Sequence, residues 1–210
     1  MKSLSLVLLQ IVSPLFHLRY YSALKMSNIQ IETVLVRDDG EFFPNNNQLP
    51  VIVYRQVFDN KSVSASNWEQ LFKQNNFGKS WRDGIFTYHH YHSTAHEVLG
   101  CYAGHARVRL GGDNEQVRKD VELNAGDCIL IPTGVAHKNI GQDSEFGVVG
   151  AYDLDGKSYD MNYGKNAEER RKAEENMKKV EVPRIDPVVG ENGGLIQYWK
   201  KKNNNNHHET

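Results

Sequence analysis

The sequence predicts a mainly β fold, a sandwich or small barrel with one or two peripheral helices. Three observations carry this. Short apolar or alternating runs rich in β-branched residues recur along the chain, Gly-rich turns separate them, and helical signals are confined to two segments. At 210 residues the chain is one domain, or one domain with appendages.

In order, Ile29–Val36 and Pro50–Phe58 read as strands, joined by the turn-rich FFPNNNQLP. Ser66-x-x-Glu69 is a capping-box signature. The helix it opens places Trp68, Leu71 and Phe72 on one face and ends near Gly78, lying over a sheet. From Ile85 the pattern is β, with Phe86, Tyr88, His90 and His92 sharing one strand face. After the interruption Ser93–Ala95, Glu97, Leu99 and Cys101 share a face. Gly104 marks a turn. Ala106, Val108 and Leu110 then form the apolar side of a half-buried strand, and Gly111-Gly112-Asp113-Asn114 is a hairpin turn. Val117–Leu123, Cys128–Ile131 and Phe146–Tyr152 complete the strands, with turns at Ala125-Gly126-Asp127 and Pro132-Thr133-Gly134. Asn166 caps a helix running through Met177, laced by the pairs Glu168–Lys172, Arg171–Glu175, Glu174–Lys178 and Glu175–Lys179. This helix has little apolar face and reads as solvated. Beyond Val180 an extended arm docks through Leu195, Ile196, Tyr198 and Trp199.

Both ends differ in composition from this body, residues 26–200. Residues 1–25 hold no acidic side chain and are apolar early, basic late. They fit a mitochondrial presequence, with Arg19-Tyr20-Tyr21-Ser22 as its processing site, or a start at Met26; a secretory signal fits poorly. Their apolar run is broken by Gln10, Ser13 and Pro14, too short to span a bilayer. Residues 201–210 form a polar low-complexity tail, and His207-His208 belongs to its composition. Cys101 and Cys128 read as reduced core thiols of an intracellular, cytoplasmic protein. The net charge of -1, without a basic patch, argues against a nucleic-acid partner.

The chemistry concentrates in GIFTYHHYHSTAHEVLGCYAG and GDCILIPTGVAHKN. His90 and His92, two apart on a strand, project to one side. Glu97 follows on the next strand, and His137 arrives from a distant one. A barrel with inward-facing positions on adjacent strands can bring all four together. Neutral imidazole and carboxylate suit Fe, Mn, Ni, Cu or Zn. The competing reading is a merely polar strand.

These residues resemble the cupin superfamily. Its first motif, G-x5-H-x-H-x(3,4)-E-x6-G, is met by Gly84, His90, His92, Glu97 and Gly104. Its second, G-x5-P-x-G-x2-H-x3-N, is met by Gly126, Pro132, Gly134 and His137, but Asn139 falls two residues after His137 and not four. From EFFPNNNQLPVIVYR to the IDPVVG tail the chain is similar to the YjlB-like cupins. The resemblance implies a single double-stranded β-helix (jelly-roll) barrel, with its core over about residues 84–152. It also implies a centre of His90, His92, Glu97 and His137 holding a divalent Fe, Mn, Zn or Ni ion, and a homodimer. The YjlB-like branch implies no particular reaction.

Three His and one Glu leave metal positions for a small-molecule ligand or substrate. Iron there would suit dioxygenase chemistry on a small polar metabolite, and Zn, Mn or Ni an isomerase or lyase. A non-enzymatic binding module is the alternative. Tyr88, on the ligand face, and His96, one register slip from Glu97, are the candidate acid–base residues. His89 faces away from the cavity by parity, and His105 is a surface residue.

Overall fold

The computed structural model describes residues 29–200. The presequence, start-site and tail readings fall on residues outside this range. Nine strands and two α-helices lie within it: β1 (Gln30–Val34), β2 (Val51–Arg55), α1 (Ala65–Gln74), β3 (Phe77–Asp83), β4 (Glu97–Ala103), β5 (His105–Leu110), β6 (Lys119–Asn124), β7 (Cys128–Ile131), β8 (His137–Gln142), β9 (Gly147–Asp153) and α2 (Ala167–Met177). A π-helical turn, Ile196–Lys200, follows.

The strands form two antiparallel sheets. One has six strands in the order β1-β2-β7-β4-β9-β3, the other three in the order β6-β5-β8. Side chains alternate across each strand, so the larger sheet builds two cores. Its inner positions, among them Val53, Leu99, Ile129 and Val148, meet Val108, Leu110 and Leu123 of the smaller sheet in one cluster. Its outer positions, Ile52, Tyr54, Val98, Leu130 and Val149, are covered by Trp68, Leu71 and Phe72 of α1 and by Leu195 and Trp199 of the C-terminal arm. This is why VIVY and CILI are unbroken apolar runs: both faces of these central strands are buried. The two facing sheets are the jelly roll that the sequence led us to expect.

α1 docks so closely that β4 has no side chain beneath it. A Cβ on Gly100 would lie 2.3 Å from the Trp68 ring. The indole Nε1 of Trp68 then donates to the Cys101 carbonyl at 2.9 Å, so burial leaves it no unmet donor.

Several local expectations need correction. The capping box of α1 is Ser64 with Asn67, not Ser66 with Glu69: Asn67 N–H donates to Ser64 Oγ, and Ser64 N–H donates to Asn67 Oδ1. The helix stops at Gln74, not near Gly78. Asn76 turns left-handed at φ 62, which asparagine tolerates, and β3 begins at once. β3 itself was not expected, because a register shift between Gly78 and Trp81 breaks its alternation. Conversely, no regular strand runs from Gly84 to His96. The only ladder pairings of that segment are two isolated bridges, His90 to His137 and Tyr91 to Asn162. The loop from β5 to β6 is longer than the expected hairpin turn. α2 starts and ends as expected, capped by Asn166. Its pairs Glu168–Lys172 and Arg171–Glu175 form, with Arg170–Glu174 beside them, and Arg170 also reaches Asp38 and Asp39, which tethers the helix to the body.

Candidate metal centre

Four buried side chains meet between the sheets at one end of the inner core. Glu97 opens β4 on its inner face, opposite Ile131 of β7 and Tyr152 of β9. His137 opens β8 and exchanges backbone hydrogen bonds with His90, at 3.2 and 3.0 Å. His92 is placed by the stretch that follows. Gly134 N–H and Thr133 Oγ1 both donate to its carbonyl, at 2.8 and 3.0 Å. One ligand-type atom from each of His90, His92, Glu97 and His137 lies within 4.8 Å of the others. That is close to the roughly 4.2 Å that an ion about 2.1 Å from each atom sets as the limit.

The ring orientations favour a cation at the centre. Each imidazole turns Nδ1 toward a backbone carbonyl: His90 toward Tyr88 at 3.4 Å, His137 toward Val135 at 3.2 Å, and His92 toward Asp160 in a short contact. A carbonyl only accepts, so Nδ1 carries the proton and each Nε2 turns a lone pair inward. His137 Nε2 stands 3.1 Å from Glu97 Oε2, and His92 Nε2 stands 3.5 Å from Oε1. Neither contact is aligned as a hydrogen bond, so His92 Nε2 and Glu97 Oε2 are buried without a partner. Converging acceptors without a donor are costly in a dry site, and a divalent ion would satisfy all of them.

The electrostatics agree. Burial pushes His90 down to about 3, helped by the neighbouring His137. Burial raises the Glu97 carboxyl, but His92 and His137 outweigh it and hold the group well below the usual range. Burial disfavours charge on His92, yet Glu97 more than compensates and its pKa rises.

A cavity of about 360 Å³ opens onto this group. Trp81, Phe86, Tyr152, Tyr159 and Met161 form its walls, and Lys79, Arg82 and Asp83 its rim. The structure does not bring the two candidate acid–base residues to it. Tyr88 stacks on Phe86 outside, with ring centroids 4.9 Å apart, and is 48% exposed. Without a continuous strand there, alternation does not carry it inward. His96 faces the opposite side of the sheet from Glu97. Its ring packs 4.8 Å from Trp199, its Nδ1 accepts from Thr133 N–H at 3.0 Å, and burial lowers its pKa to about 4. His89 lies outside the cavity near Asp113, at 3.4 Å, and His105 pairs with Glu122 at the surface.

Sequence reasoning missed three neighbours of the four. Tyr152 donates its hydroxyl to Glu97 Oε1 at 2.6 Å. Tyr159 stacks on it, centroids 4.4 Å apart. Asp160 receives His92 through its carbonyl and holds Ser93 and Thr94 through its carboxylate. Alternation along β9, which sets Val148, Gly150 and Tyr152 on one face, was the signal for Tyr152. Tyr159 and Asp160 sit on a loop and carried none.

A buried three-histidine, one-glutamate group between the sheets of a jelly roll defines a cupin. The sequence pattern described as Cupin matches residues 83–157. The uncharacterised protein YjlB of Bacillus subtilis (strain 168) is 33% identical over 170 residues, spanning 81% of this chain and 97% of that protein. The chain belongs to the cupins, in their YjlB-like branch. Among solved structures it is similar to the acireductone dioxygenase of Bacillus anthracis with a cadmium ion in its active centre. The match has 20% identity and a TM-score of 0.33, over 46% of this chain and 63% of that one. It is also similar to the TDP-fucose-3,4-ketoisomerase WlaRA of Campylobacter jejuni, at 10% identity and a TM-score of 0.33, over 41% of this chain and 67% of that one. Scores this low carry no argument about function. Among the described residues, no helix is long and apolar enough to cross a membrane.

Proposed function

We propose that this cupin is a small metal-dependent enzyme, with His90, His92, Glu97 and His137 holding a divalent Fe, Mn, Zn or Ni ion and a small polar metabolite entering the cavity above them. The observation that carries the reading is the inward set of three imidazole lone pairs and a carboxylate oxygen, with no donor among them. A bound ion would supply Lewis acidity, or redox chemistry of the dioxygenase type if it is iron. The chain's own part is to orient the ligands through backbone carbonyls, to wall the cavity with aromatic rings, and to admit the substrate past Lys79 and Arg82.

Metal analysis of the purified protein beside a His92→Ala variant tests this. Loss of the ion in the variant is expected, and unchanged metal content overturns the site. Anaerobic purification identifies the native ion, since iron selects oxygen chemistry and the others an isomerase or lyase.

A non-enzymatic binding module is the second reading. It is favoured by the placement of Tyr88 and His96 away from the cavity, which removes the two acid–base candidates that the sequence offered. The two readings part when a ligand carried through purification is returned to the metal-loaded protein: an enzyme converts it, a binding module releases it unchanged. We place the protein in the cytoplasm, where two free buried thiols persist. A homodimer is expected, read by sedimentation velocity.

A further inference from the structure

We propose that Tyr152 is the positioning residue that commits Glu97 to binding a metal ion through one oxygen only. This rests on the metal site proposed above. Tyr152 sits directly across from Glu97 in the β4–β9 register, so the pairing is set by backbone and not by a chance rotamer. Its hydroxyl donates to Oε1 at 2.6 Å, a short bond to a charged acceptor. Oε2 is left without a hydrogen-bond partner and faces the inward nitrogen of His137. The two oxygens of one carboxylate therefore have different tasks. Oε1 is held by the protein, and Oε2 is free for the ion.

Tyr152 is itself fixed. It is 2% exposed, lies edge-on to His92 with centroids 5.6 Å apart, and stacks on Tyr159, whose ring also packs against His92 at 5.1 Å. The ring can neither swing away nor trade its partner for water. A carboxylate locked this way would give a single ligand bond, so three imidazoles and one oxygen would hold the ion. Ions that favour two-oxygen carboxylate binding are disfavoured by the same lock.

The test compares the wild type with Tyr152→Phe and Tyr102→Phe, using Zn(II) and Co(II) as probes. Tyr152→Phe keeps the ring and loses only the donor. Zn(II) affinity, measured by chelator competition, is expected to fall about 10- to 100-fold, the range for losing a bond that orients a ligand. The visible band of the Co(II) form is expected to weaken, because a freed Oε1 raises the coordination number. Tyr102→Phe, on the outer face of β4 and away from the four side chains, leaves both readouts as in the wild type. A folded Tyr152→Phe that binds Zn(II) within twofold of the wild type, with the same Co(II) spectrum, overturns the inference while leaving the metal site intact. A wild type that binds neither ion overturns the site and the inference together. Thermal unfolding of the metal-free proteins separates a local loss from general damage. If Tyr152→Phe does not fold, fluorinated tyrosine at position 152, which keeps the ring and changes only the strength of the donor, decides the matter: Zn(II) affinity that shifts in step with the hydroxyl's acidity supports the inference, and unchanged affinity overturns it.

Discussion

His92 shows how one ring serves two states of the site. The Glu97 carboxylate favours its protonated form, whereas binding an ion through Nε2 needs the neutral ring. Burial works against its charge, but the carboxylate beside it prevails and its pKa rises. His90, pushed down to about 3, is already bare at any working pH. Metal affinity is therefore expected to rise with pH by roughly tenfold per unit until it passes the raised pKa of His92, and to level off above it. Chelator competition from pH 5.5 to 8.5 reads this directly, and a flat profile would contradict the assignment of His92. At this scale the candidate ligands were legible, because strand parity paired His90 with His92 and the resemblance to cupin motifs added Glu97 and His137. Tyr152 was not, since its part depends on a partner 55 residues away.

At the scale of elements, the close approach of α1 to β4 is the feature most open to test. Gly100 leaves room for the Trp68 indole, and no rotamer of a larger residue avoids it. Gly100→Ala is expected to destabilise the protein by about 1–3 kcal/mol, the usual cost of overpacking, as read from urea unfolding. No change in midpoint would show that α1 can lift off the sheet. The apolar face of α1 was evident from Trp68, Leu71 and Phe72, yet its cap was misplaced. Ser64 and Ser66 both precede suitable partners, and only the path of the incoming chain selects between them. The strand expected over Ile85–His92 failed for a related reason. Alternation shows a preference for extended backbone, whereas a strand needs neighbours, and this segment has only isolated bridges.

The whole molecule is closed by its C-terminal arm, and Asp186 is the point of attachment. The carboxylate is completely buried. It accepts from Tyr54 Oη at 2.5 Å, from the N–H groups of Val188 and Val189, and from that of Leu195, each at 2.8 Å. Trp199 then seats its indole on the Pro50 carbonyl at 2.8 Å and its ring against His96. Replacing Asp186 with Asn turns one acceptor into a donor facing other donors. Asp186→Asn is expected to cost about 2–4 kcal/mol and to raise protease sensitivity in the arm before the sheets unfold. Global stability within 0.5 kcal/mol of the wild type, a rough limit for neutral surface changes, would show that the arm is not part of the cooperative unit.

The sequence by itself determined the β character, the inward parity of Glu97, Leu99 and Cys101, the capped α2, the docking of Leu195 and Trp199, and the shared side of His90 and His92. Each follows from a local period or a spacing, and these survive folding because side-chain direction along a strand or helix is a local property. Only the tertiary structure decided that Tyr152 and the Asp160 carbonyl serve the quartet, that His96 lies behind the sheet against Trp199, and that Tyr88 stays outside. Those placements depend on which strands pair and in which register, and on the course of a loop between elements, so they arise from contacts between distant parts of the chain.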